Sequence, residues 1–298
     1  MTLNPNAEVD TGQVQDAGRG RRGGLGGIPI PIPIGGGGGW IGLVVFALLL
    51  IGGAIGGNQL LGDDPQPGGE VECPAGSVQD PANIECRNAL YVNSIQDYWQ
   101  DALPQALGTP YQMSDTVFFD QAVTTACGPA DSGVGPFYCP MDDQIYIDVT
   151  FWNELATRFG ADGEFAQPYV LAHEYGHHVQ DLLGTEATVR RQMERDPASQ
   201  NALSVALELQ ADCYAGVWAH HAERTTDANG QPIFLEVTEA DIAQGVEAAR
   251  AVGDDAIQKK MGGPVIESQF THGSSAQREE WFTTGYDTGD PNACNTFA

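Results

Sequence analysis

Positive charge is scarce in this chain. Thirteen Lys and Arg stand against 40 Asp and Glu over 298 residues, a formal charge of −27. Three basic residues (Arg19, Arg21, Arg22) and three acidic ones (Glu8, Asp10, Asp16) precede Asn58, so the excess belongs to residues 58–298. Such a surface repels phosphate backbones and anionic head groups, which argues against nucleic acid as a partner. It also keeps an exported domain soluble. No C-x-x-C pair occurs, so a thiolate zinc site is disfavoured. No cysteine precedes Cys73. Long apolar runs are absent apart from Trp40 to Gly57, and no clear Ala-x-Ala cleavage site comes after it, which argues against a cleaved signal peptide.

These features predict four segments. Residues 1–39, with the Ile-Pro alternation Ile28 to Ile34 and the glycines Gly35 to Gly39, read as a disordered cytoplasmic segment. Residues 40–57 read as a transmembrane anchor, short but uncharged. The arginines before it place the N-terminus inside and the rest outside, a single-pass cell-membrane protein with an extracytoplasmic domain. Residues 58–72 read as a linker, and residues 73–298 as the folded domain. Six cysteines, all after the apolar run, point to an oxidising compartment and disulfides. Fifteen pairings are open to six cysteines. Short loops suggest Cys73–Cys86 and Cys127–Cys139, leaving Cys213–Cys294, against the alternative of free buried thiols.

Periodicity predicts helices over Ile84 to Leu103 (stopped by Pro104), Thr150 to Phe159, Gln167 to Leu183 (stopped by Gly184), Asn201 to His221, Glu239 to Val252, Asp254 to Met261 and Ser274 to Phe282. Strands are expected at Thr116 to Phe119 and within Asp142 to Asp148, with a loop from Cys127 to Cys139. The fold class expected is α+β, predominantly helical, with a small sheet.

Chemistry concentrates in Tyr169 to Gln180, which contains His173-Glu174-x-x-His177. Residues four apart share one helix face, so His173 and His177 can offer two imidazole nitrogens to one cation, with Glu174 beside them to take a proton. A catalytic zinc asks for a third protein ligand. His178 sits about 100° round the helix from His177, which places it poorly. His220 and His221 lie at a helix end and read as solvated. Glu208 interrupts an Ala/Leu-rich helix, and Asp212 lies four residues on. Buried carboxylates are costly unless paired or bound to metal. Glu208 on the metal and Asp212 on a ligand imidazole N–H would satisfy both.

Together these residues are similar to the gluzincin metallopeptidases. More closely, Leu-Ala-His-Glu-Tyr-Gly-His-His-Val-Gln, Glu-Leu-Gln-Ala-Asp-Cys-Tyr-Ala-Gly, Gly-Pro-Phe-Tyr-Cys-Pro and Phe-Thr-His-Gly-Ser-Ser-x-Gln-Arg resemble the neutral zinc metallopeptidase family of bacteria, over roughly Cys73 to Phe297. The resemblance implies a zincin-like peptidase domain holding Zn2+. Thr271-His272 with Arg278 resembles the Thr-His-Pro-x-x-x-x-Arg segment of membrane-associated gluzincins related to the CAAX prenyl protease, with Gly273 where those have Pro. That likeness gives His272 a hydrogen bond to the tetrahedral intermediate and Arg278 a pairing with the loop or a carboxylate. Tyr175 is a further oxyanion candidate. By analogy with zinc peptidases, the strand Gln144 to Asp148 is expected to line the cleft as an edge strand. Three classes stand side by side: a membrane-anchored endopeptidase acting on envelope or extracellular proteins or peptides, a metal-containing binding or regulatory module of the cell envelope that does not cleave, and a structural zinc domain or cell-envelope assembly protein. Retention of Glu174 favours the first, because a structural site needs no base.

Overall fold

The computed structural model describes residues 1–19 and 69–297. In chain order its elements are β1 (Thr2–Leu3), β2 (Val14–Arg19), α1 (Ile84–Ala102), β3 (Thr116–Asp120), β4 (Ala122–Thr125), β5 (Gly128–Asp131), β6 (Phe137–Cys139), β7 (Gln144–Asp148), α2 (Phe151–Phe159), α3 (Ala166–Leu182), α4 (Thr185–Arg195), α5 (Gln200–His221), β8 (Phe234–Glu236), α6 (Glu239–Ala251), α7 (Asp254–Lys260) and α8 (Ser275–Thr288). Short 3-10 turns and one π-helical turn join them.

The main sheet has the order β2-β3-β7-β6, with β2, β3 and β7 parallel and β6 antiparallel to β7. Phe118, Ile145 and Ile147 from this sheet join Leu90, Tyr91, Ile95 and Trp99 of α1 in one core with α3 and α5. Each large apolar side chain buried this way contributes roughly 1.5–3 kcal/mol. Helix α5 is buried on most of its surface, between α3 and α8. Glycine permits that crowding. A Cβ on Gly176 of α3 would meet Ala211 Cα of α5 at 2.9 Å, so α3 and α5 approach backbone to backbone there.

The fold is mixed α/β, and this corrects the expected architecture at its N-terminus. Residues 1–19 are woven into the domain: β2 lies beside β3, β1 pairs with β8, and Asp16 forms a backbone bridge with Gly69. Leu3 and Val14 are buried in the common core. A single membrane crossing between them and the domain would put residues 1–19 on the far side of the bilayer, where they could not share this sheet. The predicted span at residues 40–57 itself lies outside the described residues. Among the described residues, no helix is long and apolar enough to cross a membrane.

Smaller differences have local causes. Pro104 does not end α1 outright; the chain widens into a π-helical turn, Leu103–Leu107, and stops at Gly108, whose φ is 70°. Gly184 ends α3 as expected, with φ 69°, but α4 starts at once. The loop from Cys127 to Cys139 contains β5 and β6. Strand β7 is not an edge: β3 pairs on one side and β6 on the other, so the outer strands are β2 and, next to β7, β6. The disulfides are Cys73–Cys86, Cys127–Cys139 and Cys213–Cys294.

Candidate active site

Helix α3 presents Val170, His173, Glu174 and His177 to one cleft, the i, i+3, i+4, i+7 face of a helix. Helix α5 supplies Glu208 from the opposite wall. His173 Nε2 lies 3.2 Å from Glu208 Oε2, and His177 Nε2 lies 3.6 Å from Glu208 Oε1. One donor atom from each of the three lies within 4.8 Å of the others. Two imidazole nitrogens and one carboxylate are the donor set of a catalytic zinc with a position left for water. The far nitrogens fit that use. His173 Nδ1 is 2.9 Å from Asp212 Oδ1, and His177 Nδ1 is 2.9 Å from Gln180 Oε1. Both Nε2 atoms are thereby turned toward Glu208.

Asp212 is the buried hub of the second layer. It accepts from Tyr169 Oη at 2.6 Å and from Arg278 Nε and Nη2 at 2.7 and 2.9 Å. Burial opposes its ionisation, but Arg278 and His173 outweigh it and hold the carboxyl below its usual range. Arg278 is likewise held firmly protonated: burial works against the charge, and the Asp212 carboxylate prevails. At His173, burial pushes the pKa down and the Asp212 and Glu208 carboxylates push it up further, to about 9. Glu208 is depressed, because the imidazoles of His272, His173 and His177 outweigh its burial. Glu174 is raised by burial against the pull of the two histidines. A carboxylate raised this way is a better proton acceptor than an exposed one.

His272 lines the same cleft. Its loop is clamped by Asp254 at the start of α7, whose Oδ2 accepts from the backbone N–H of Thr271, His272 and Gly273. The His272 Nδ1 lies 3.3 Å from Asp254 Oδ1. Gly273 has φ 90°, a conformation closed to proline, which explains the departure from the Thr-His-Pro pattern.

The remaining candidates sit elsewhere. Tyr175 is buried toward the sheet, its hydroxyl donating to Ser114 O at 2.9 Å, so it is not an oxyanion donor. His178 points away from the site, with Nε2 2.7 Å from Gln112 O. His220 and His221 bond the carbonyls of Tyr286 and Gly289. Tyr169 and Gln180 escaped the sequence reading. The signal for Tyr169 was its place one turn before His173 on the same face; Gln180 stands three residues beyond His177.

The cleft has two further walls. Edge strand β6 and the loop before it contribute Val134 to Tyr138. Phe151, Phe159, Val170, Val252 and Ile257 add apolar lining, with Val170 one helical turn before Glu174 on α3.

The sequence pattern of the family described as "putative neutral zinc metallopeptidase" matches residues 6–297. An uncharacterized protein of Mycobacterium tuberculosis is 45% identical over 217 residues, covering 72% of this chain and 71% of its own length. The uncharacterized protein YpfJ of Escherichia coli is 44% identical over 210 residues, covering 70% of each chain. No solved structure matches.

Proposed function

This chain belongs to the neutral zinc metallopeptidase family, and from that premise we propose that it is a zinc-dependent endopeptidase. The observation that carries the reading is the convergence of His173, His177 and Glu208 beside Glu174 in one cleft.

His173, His177 and Glu208 are the residues to hold the zinc. When bound there, zinc acts as a Lewis acid toward the scissile carbonyl and makes a water acidic. Glu174 takes the proton of that water on its carboxylate and delivers it to the leaving amine nitrogen. Asp212 fixes the His173 ring by accepting its Nδ1–H, and Arg278 keeps Asp212 ionised. His272, with Nδ1 toward Asp254, offers its other ring nitrogen to the developing oxyanion.

Strand β6 ends the sheet and lines the cleft, so an extended peptide can add to its free edge. The apolar lining of the cleft, with Val170 one turn before Glu174, supports selection of a large apolar side chain next to the scissile bond. Three disulfides support work in an oxidising compartment, on proteins or peptides found there.

The test uses the full chain, because residues 1–19 belong to the fold. Purified protein is expected to take up about one zinc per chain and to cleave an unstructured protein such as casein. Cleavage that persists after a chelator has removed all metal would sink the assignment.

A further inference from the structure

The polar groups behind His177 form a chain whose direction is fixed. Gln180 on α3 is fully buried, and Gln210 on α5 is 7% exposed. Gln180 Nε2 lies 2.7 Å from the backbone carbonyl of Leu207 and 3.1 Å from Gln210 Oε1. Gln210 Nε2 lies 2.8 Å from the backbone carbonyl of Cys294. A carbonyl only accepts, so each carbonyl dictates which end of its glutamine faces it. The amide NH2 of Gln180 faces Leu207, and its oxygen therefore faces His177 Nδ1 at 2.9 Å. That nitrogen must carry the proton, and the His177 Nε2 lone pair is left facing Glu208.

We infer that Gln180, held by Gln210, is the positioning residue that sets the ring orientation and tautomer of His177 as a metal ligand. This rests on the reading of His173, His177 and Glu208 as the metal site. The geometry adds a second task. Leu207 directly precedes Glu208, so the Gln180 bond to its carbonyl ties the His177 side of the site to the helical turn that carries Glu208. The far end of the chain is the carbonyl of Cys294, which the Cys213–Cys294 disulfide binds covalently to α5. His177 thus differs from His173: its partner is a neutral amide braced by backbone carbonyls, where the partner of His173 is a carboxylate braced by an arginine. The neutral partner orients His177 without adding a second negative charge beside Glu208 and Glu174.

Cobalt(II) binding to the full chain tests this, by competition with a chromophoric chelator and by the visible absorption of the bound ion. Gln180→Met preserves volume and removes the acceptor. It is expected to weaken cobalt binding about 10–100-fold and to change the visible spectrum, which a loss of bulk stability alone would not do. Gln210→Met leaves the bonds of Gln180 to His177 and Leu207 in place and is expected to give a smaller loss in the same direction. Wild-type affinity and spectrum in Gln180→Met would overturn the inference. If that variant does not fold, unchanged affinity in Gln210→Met overturns it instead. Failure of the wild-type chain to bind cobalt would bring down the metal-site reading beneath it, a result separable from either variant's.

Discussion

Asp212 Oδ1 stands 2.9 Å from His173 Nδ1, and Arg278 grips the same carboxylate from the other side with Nε and Nη2. A fully buried anion thus serves one proposed ligand while its charge is balanced by a buried cation that borders the cleft. Replacing Asp212 with Asn keeps the shape and removes the charge. Breaking a buried pair from one side costs about 3–5 kcal/mol, since the other charge stays buried. Asp212→Asn is therefore expected to lower the thermal midpoint by many degrees and to weaken zinc binding about 10–100-fold. Thermal unfolding and chelator competition read the two effects.

The raised pKa of His173 sets a pH dependence with a definite sign. In the metal-free protein the charged ring is favoured by Asp212 and Glu208, so its stabilising contribution is fully present below about 6.5 and fades as pH rises through about 9. Zinc needs the neutral ring, so its binding strengthens across the same window. The gap between the melting temperatures of zinc-loaded and metal-free protein is expected to widen from pH 6.5 to pH 9. A gap that narrows over this range would contradict the placement of His173.

Removal of residues 1–19 exposes the edge of β3 and strips Leu3 and Val14 from the core. A truncated chain beginning near Gly69 is expected to be strongly destabilised and prone to edge-to-edge association. Denaturant unfolding and light scattering against the full chain check this.

The apolar lining of the cleft bears on substrate choice. Ile257→Ala removes part of the apolar lining that Ile257 shares with Phe151, Phe159 and Val170. It is expected to reduce kcat/KM for peptides with Leu or Phe beside the scissile bond by about 10-fold or more, with little effect on those with a small residue there. Competition within a mixed peptide library, followed by mass spectrometry, measures the ratio.

The placement of the proposed ligands was legible because charge is conspicuous against apolar sequence. His173 and His177 fall four apart on a helix, and Glu208 and Asp212 interrupt an Ala/Leu-rich run. Gln180 and Gln210 were not legible, because they act through hydrogen bonds and buried neutral polar residues leave no charge signal; Tyr169 had only its place one turn before His173 to mark it. The cysteine pairing was within reach through two short loops. The N-terminal strands were not: β2 carries glycine and polar residues, and its partner β3 lies beyond α1 in sequence, so the pairing is decided by tertiary contact. Strand β7 alternates in part along the sequence, yet Ile145 to Asp148 are all buried, because both faces of the sheet are covered: Ile145 and Ile147 pack into the main core and Tyr146 into a second cluster with Phe137 and Cys139.

The central claim is that Glu174 moves a proton at a metal site held by other residues. Glu174→Gln keeps the size of the side chain and removes its ability to accept a proton. The decisive measurement is proteolysis by wild-type and Glu174→Gln protein, matched for zinc content, on one unstructured substrate. The account predicts equal zinc content and a loss of cleavage of about 100-fold or more. Matched cleavage by the two proteins would contradict it.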